Sequence, residues 1–177
     1  RDRQPDTAGV FITMNTHDIQ LLYKYNAWAN DRILNTASKV SAEQFLAPAS
    51  YPHGGLRSTL THTLFAEWLW RKRWHGNPPT VWIKPEEFPT FDSIRTRWKE
   101  EEKALSDFVA SLSDEKLNAV FHYKTTSGEA RENILWHVMA HVVNHGTQHR
   151  SEAGVMLTEL CHSPGDIDLI VFLRKGS

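Results

Sequence analysis

The stretch D-S-I-R-T-R-W-K-E-E-E-K-A-L-S-D-F-V-A-S-L, residues 92–112, decides the fold class of this chain. Apolar residues recur in it at alternating intervals of four and three, which is the spacing of a helix face that packs against other helices. This face consists of Ile94, Trp98, Glu101, Leu105, Phe108 and Leu112, with Glu101 as its polar exception. The pattern predicts a helix that forms one side of a helical bundle.

Three further segments with helical spacing lie on either side of this stretch. The first runs over residues 16–38 with Thr16 as its predicted N-cap, and the second covers residues 58–74. The fourth predicted helix covers residues 132–160. Residues 76–90 contain four prolines and therefore cannot form a regular helix. We predict an all-α fold, a four-helix bundle with a long crossover between helices two and three.

Shorter elements complete the predicted architecture. Residues 121–124 and 129–131 flank Gly128 and predict a small hairpin before the fourth helix. Residues 41–45 predict a single helical turn, and residues 168–173 predict a last short helix. We expect residues 1–15 to be a disordered leader or vector-derived segment and residues 16–177 to form a single domain.

Composition excludes several classes of partner. The 20 basic residues nearly balance the 21 acidic ones, and no basic patch suggests a nucleic-acid partner. No apolar run reaches the roughly 18 residues that a membrane span needs. Cys161 is the only cysteine, so no internal disulfide can form, which fits a reducing cytoplasm. We therefore expect no nucleic-acid or membrane partner, and a small-molecule substrate is compatible with this composition.

Four histidines lie four residues apart in the fourth predicted helix: His137, His141, His145 and His149. Residues four apart lie on the same helix face. Imidazole is the commonest metal ligand among side chains, and two histidines at this spacing can bind one ion. Because one helix face usually offers only two ligands, a third must come from a neighbouring helix. His62, on the inward face of the second predicted helix, is the candidate.

The residues around these histidines resemble the DinB/YfiT-like family of metal-dependent helical proteins. The resemblance covers nearly all of residues 16–173. It rests on Y-N-A-W-A-N-D-R-I-L at residues 25–34, H-T-L-F-A-E-W-L-W at residues 62–70, and H-V-V-N-H-G-T-Q-H-R at residues 141–150. It implies that a divalent ion, typically zinc or nickel, is held by His62, His145 and His149. His141 would then lie beside the site without binding the ion.

The resemblance also implies a class of reaction. Characterised members of the family include thiol S-transferases that use bacillithiol or mycothiol, and a mycothiol-dependent maleylpyruvate isomerase. A metal-dependent thiol S-transferase acting on small electrophiles is the function it implies for this chain. Two alternatives stay open. One is a metal-dependent hydrolase with Glu152 or Glu67 as its catalytic base, and the other is a non-catalytic metal-binding stress protein.

The sequence departs from the family pattern after its last predicted ligand. Members often continue with Arg-Gly-Gln, whereas this chain has Arg150-Ser151-Glu152. Glu152 lies about one turn beyond His149 and could hydrogen-bond either that imidazole or a bound water. Tyr25 and Arg150 are the candidates for binding the thiol cofactor. Because of this departure, the resemblance does not identify the thiol cofactor or the substrate of this chain.

Other aromatic and histidine residues receive a plainer interpretation. Trp70, Trp74 and Trp82 are expected to be exposed and to form the face of a homodimer. The histidines outside the two ligand segments, His53 among them, are interpreted as surface residues.

Overall fold

The computed structural model describes residues 13–174, in which helices predominate. The helices are α1 Thr16–Ala37, α2 Ala42–Leu46, α3 Leu56–Trp74, α4 Phe91–Ala110, α5 Asp114–Leu117, α6 Leu135–Glu159 and α7 Leu169–Arg174. The strands β1 Val120–Lys124 and β2 Ala130–Ile134 pair in an antiparallel hairpin. A single 3₁₀ turn, Pro85–Glu87, interrupts the crossover between α3 and α4. The mostly helical fold and its small hairpin confirm the predictions from periodicity.

The four long helices contact each other in a ring, because α1 and α3 each contact both α4 and α6. The face of α4 that the alternating spacing predicted lies inside this ring. Ile94, Trp98 and Leu105 on that face are at most 4 % exposed. Burial of large apolar side chains such as these is the main favourable contribution to folding.

Glu101, the polar exception on the buried face of α4, has partners that explain its place there. Its carboxylate is fully buried and accepts hydrogen bonds from Nε and Nη2 of Arg71 on α3. Arg97, one turn earlier on α4, lies 3.6 Å from the same carboxylate. A buried carboxylate is tolerated when it is paired and hydrogen-bonded in this way.

The start of α1 differs by one residue from the prediction. Asn15, not Thr16, is the N-cap, and its side chain accepts a hydrogen bond from the backbone N–H of Asp18. Met14 belongs to the expected leader segment. Its N–H donates to Oδ1 of Asn118, and its carbonyl accepts from Nδ2 of the same side chain. Residues 1–12 of the expected leader lie outside the described residues.

The start of α6 also differs from the prediction, by three residues. Residues 132–134 belong to β2, where Glu132 is opposite His122 and Ile134 is opposite Val120. The helical spacing of the following residues obscured this boundary, because it continues without a break into the residues that pair with β1. The last short helix begins at Leu169, one residue later than expected.

The expected surface role of Trp74 is wrong. This residue is 7 % exposed and stacks on Phe108 with ring centroids 5.3 Å apart. Trp70 is partly buried, and Trp82 is 45 % exposed. Within residues 13–174, no helix combines the length and the apolar character needed to cross a membrane.

Candidate metal centre

The three histidines expected to bind a metal come together between α3 and α6. The ring centroids of His62 and His149 lie 4.6 Å apart, those of His62 and His145 5.1 Å, and those of His145 and His149 4.4 Å. The four-residue spacing on α6 places His145 and His149 on one face, and the contact between α3 and α6 brings His62 opposite them. Three imidazoles from two helices therefore surround one small volume.

The nitrogen atoms in this volume suit a shared metal ion. Nε2 of His62 lies 3.2 Å from Nε2 of His145. Two tetrahedral ligands at zinc–nitrogen distances of about 2.0–2.1 Å have their nitrogens about 3.3 Å apart. The observed separation is close to that value. Without an ion this is a hydrogen-bond distance, and both Nε2 lone pairs become available to one cation when each ring carries its proton on Nδ1. Nε2 of His62 and Nε2 of His145 therefore lie close enough together to bind one transition-metal ion.

Glu152 holds the third imidazole in a defined orientation. Its Oε2 lies 2.8 Å from Nδ1 of His149, which is 3 % exposed. A carboxylate at this distance accepts a hydrogen bond from Nδ1–H and leaves Nε2 free to bind a metal. Glu152 was expected to hydrogen-bond either the His149 imidazole or a bound water, and the structure shows the contact with the imidazole.

A fourth histidine, His53, joins the cluster, and its interpretation as an ordinary surface residue is wrong. Its ring stacks on that of His62 with centroids 3.7 Å apart and lies 4.8 Å from that of His149. Nitrogen atoms of His53, His62 and His149 all lie within 4.8 Å of one another, and among the described residues these three form the set of side chains that could hold a metal ion. The structure thus offers two candidates, His145 and His53, for the ligand that completes the site.

A tight loop before α3 places His53 over the cluster. Gly54 has a positive φ of 86° and donates its N–H to the Tyr51 carbonyl, which closes the turn. A Cβ at Gly55 would lie 2.0 Å from the Ala47 carbonyl oxygen, so only glycine permits this approach. The sequence His53-Gly54-Gly55 marked a loop, but nothing local indicated that the loop folds onto His62.

Partial burial favours the neutral form of the His62 and His145 imidazoles. Burial, and to a smaller extent the neighbouring His53, His149 and His145, together lower the pKa of His62 to about 3. Burial likewise lowers the pKa of His145 to about 4, with contributions from His149, His141 and His53, while Glu152 acts in the opposite direction. Neutral imidazole is the form that binds metal ions.

We expect acid to destabilise the metal-free protein through these two histidines. Their folded pKa values lie below the unfolded value of about 6.5, so between about pH 6.5 and pH 3 the unfolded state binds more protons. Stability must then fall as pH decreases through this range. The variant His62→Gln/His145→Gln, measured by urea unfolding after EDTA treatment, should lose less stability on acidification than the wild type.

Carboxylates titrate in the same range, so the comparison needs a matched histidine variant. His137→Gln changes an exposed histidine on the same helix and should follow the wild-type pH profile. Identical profiles for the wild type and the double variant would contradict the expected contribution of His62 and His145.

Three other residues expected at the site form hydrogen bonds to groups outside the histidine cluster. Glu67 is 1 % exposed, and its Oε1 accepts hydrogen bonds from Nδ2 of Asn26 and of Asn30 on α1. Burial raises the pKa of Glu67, although both amides and Arg150 act to lower it. Arg150 is 2 % exposed and donates from Nη1 to Oδ1 of the same two asparagines. Tyr25 is 4 % exposed and donates its hydroxyl hydrogen to the Ile167 carbonyl.

The other two members of the histidine stripe lie outside the cluster. His141 is exposed, with its ring 5.7 Å from that of His145 and 5.8 Å from that of Trp70. His137 is exposed and contacts the ring of Trp136. The stripe therefore runs from the candidate metal centre to the protein surface.

Fold and site together define a mostly helical protein with a histidine cluster that could hold a metal ion. The chain belongs to the DinB family, whose sequence profile matches residues 14–175. It is also similar to a curated relative, Protein DinB of Bacillus subtilis (strain 168). The two are 23% identical over 166 residues, which cover 87% of this chain and 94% of that protein.

Proposed function

We propose that this chain is a divalent-metal-dependent thiol S-transferase with zinc or nickel as its ion. In this proposal the four long helices form a four-helix bundle, and His62, His145 and His149 hold the ion. The observation that carries the proposal is the close approach of these imidazoles from two helices, with Nε2 of His62 3.2 Å from Nε2 of His145. DinB family membership supports the same assignment.

Each residue has a distinct part in the proposed site. The half-buried imidazoles of His62 and His145 and the buried imidazole of His149 supply nitrogen ligands. Glu152 is a positioning residue because it accepts a hydrogen bond from Nδ1 of His149. When bound, a divalent cation would lower the pKa of a thiol in the site and so favour its thiolate form. His53 covers one side of the cluster through its stacking on His62, and it is the alternative third ligand.

The proposed reaction joins a low-molecular-weight thiol to a small electrophile. The thiolate sulfur forms a bond to the electrophilic carbon, and the bond from that carbon to the leaving group breaks with its electron pair. The thiol proton passes to solvent. Because the carboxylate of Glu67 faces α1 and accepts hydrogen bonds from Asn26 and Asn30, we assign it no part in this step.

The experiment that tests this function measures thiol consumption. Protein purified without a nickel column is loaded with Zn²⁺ or Ni²⁺ and mixed with monochlorobimane and either bacillithiol, mycothiol or cysteine. We expect metal-dependent conjugation that is lost in His62→Ala and retained in His137→Ala. Ester hydrolysis without thiol would support the hydrolase alternative instead. Absence of both activities, together with a lower Tm in His145→Ala, would support the non-catalytic alternative.

We also propose a homodimer located in the cytoplasm. Exposed apolar side chains on the crossover and on α7, namely Trp82 at 45 % and Ile170 at 50 %, support an intermolecular contact. The exposed free thiol of Cys161 is compatible with a reducing compartment. Multi-angle light scattering of the full chain tests the dimer, and a monomeric mass at micromolar concentration would contradict it.

A further inference from the structure

Arg73, in the last turn of α3, is a buried cation without an anionic partner. It is 8 % exposed, and its Nε is buried without a hydrogen-bond partner. Among residues 13–174, no carboxylate forms an ion pair with its guanidinium. The other buried arginine, Arg150, donates to two asparagine side chains. A charge removed from water without such compensation is unfavourable unless a ligand supplies the missing partner.

Two aromatic rings hold the Arg73 guanidinium in place. Its Cζ lies 4.7 Å from the ring centroid of Trp70 and 5.8 Å from that of Tyr123 on β1. Contacts of this kind offset part of the desolvation of a guanidinium. They leave the Nε–H group without an acceptor, because an aromatic face does not replace the oxygen atoms that a guanidinium binds in a plane.

Arg73 lines a cavity of about 720 Å³ between the end of α3 and the hairpin. The cavity wall also includes Gly76, Pro78, Tyr123, Lys124 and Arg131. A volume of this size lies within the range of about 300–1,000 Å³ that is typical of small-molecule sites. The uncompensated guanidinium therefore lies in a space that can admit a ligand.

The charges of the cavity wall favour an anion. Arg73, Lys124 and Arg131 contribute three cationic groups, against the single carboxylate of Glu132. That carboxylate lies 3.3 Å from Nδ1 of His122, its neighbour on β1. Arg131 donates to Glu129, which leaves the positive charges of Arg73 and Lys124 to act on the cavity. Clefts lined by one sign of charge attract ligands of the opposite sign.

We propose that this cavity binds the carboxylate or phosphate group of a small organic molecule, with Arg73 as its principal partner. Both groups present coplanar or forked oxygens that a guanidinium binds with two hydrogen bonds. Tyr123, which lines the cavity beside the guanidinium, offers apolar surface to the carbon atoms next to the anionic group. The site is separate from the metal centre, since Arg73 is eleven residues from His62 on α3, a rise of about 16 Å.

The test titrates phenyl phosphate, phenylacetate and uncharged phenylacetamide into the isotope-labelled full chain and follows the Arg73 Nε–H signal by NMR. We expect the two anions, but not the amide, to shift this signal. Tighter binding of phenyl phosphate would identify a phosphate ligand, and tighter binding of phenylacetate would identify a carboxylate ligand. An equal response to the amide, or no shift with either anion at millimolar concentration, would overturn the proposal.

Two arginine variants sharpen the test. Arg73→Gln should weaken anion binding at least about tenfold, because a hydrogen bond to a charged group is lost. Arg95→Gln removes an arginine that donates to Asn35 on the surface and should leave the affinity unchanged. Unaltered affinity in Arg73→Gln would refute the assignment. If that variant does not fold, the response of the wild-type Arg73 signal decides the question alone.

Discussion

Replacement of His62 by alanine is expected to lower the affinity for Zn²⁺ or Ni²⁺ by more than about 100-fold. Loss of a residue that only orients a ligand already costs about 10–100-fold, and loss of the ligand itself must cost more. Nε2 of His62 lies 3.2 Å from that of His145, and the His62 ring also contacts the ring of His149. Competition with a chromogenic chelator and elemental analysis of the purified variant measure the effect.

Variants of neighbouring residues identify the complete ligand set. His149→Ala should match His62→Ala, whereas Glu152→Ala should weaken binding by about 10–100-fold because Nδ1 of His149 loses its acceptor. Comparison of His145→Ala with His53→Ala reveals the third ligand, since the larger loss identifies it. His137→Ala is the control on the same helix, and we expect it to keep full metal content. Full metal occupancy in His62→Ala would refute a centre that joins α3 to α6.

Replacement of Arg150 by methionine is expected to destabilise the fold by about 3–5 kcal/mol, the usual effect of removing one partner from a buried charged group. The guanidinium donates to Asn26 and Asn30 on α1, and to Thr147 on its own helix. These asparagines in turn donate to the buried carboxylate of Glu67 on α3. The loss of Arg150 would leave both amide oxygens and that carboxylate without their compensating positive charge.

Denaturant unfolding of Arg150→Met measures this effect, with Arg95→Met as the matched control. Arg95 also donates to an asparagine, Asn35, but at the surface, so its removal should change stability by less than about 1 kcal/mol. Adding Glu67→Gln to Arg150→Met should recover part of the lost stability, because the uncompensated carboxylate is removed as well. Equal effects of Arg150→Met and Arg95→Met would contradict a structural role for this network.

The close approach of α1 to α6 explains why this network is buried. Gly146 lies on the face of α6 opposite Asn26, and a Cβ there would come within 2.7 Å of Nη1 of Arg150 and 3.1 Å of Oδ1 of Asn26. Glycine therefore leaves the space that the guanidinium and the amide fill. The sequence motifs that carry the family resemblance contain all three residues, so part of that resemblance reflects packing between helices as well as metal binding.

Local periodicity predicted the four long helices and placed candidate metal ligands on shared helix faces. The spacing of Ile94, Trp98 and Leu105 identified a buried helix face, because helical geometry alone decides which residues share a face. The same geometry related His145 to His149. The boundary of α6 could not be predicted in this way, since residues 132–134 adopt extended structure through pairing with β1.

Roles that depend on contacts between distant segments needed the structure. In the sequence, Glu101 is a polar exception on the apolar face of α4. Its burial is explained by Arg71 on α3, which donates hydrogen bonds to its carboxylate. His53 lies in a loop, where no periodicity relates it to a helix face, and its stacking on His62 follows from the turn at Gly54 and Gly55.

The sequence by itself determined the helical class of this protein, its DinB family resemblance and the histidines on α3 and α6. These properties follow from residue spacing, which the backbone geometry of a helix converts directly into shared faces. Only the tertiary structure decided that His53 joins the cluster, that Glu152 orients His149, and that Arg73 is buried without an acid. Such contacts depend on how separate segments approach in space, which no local pattern specifies.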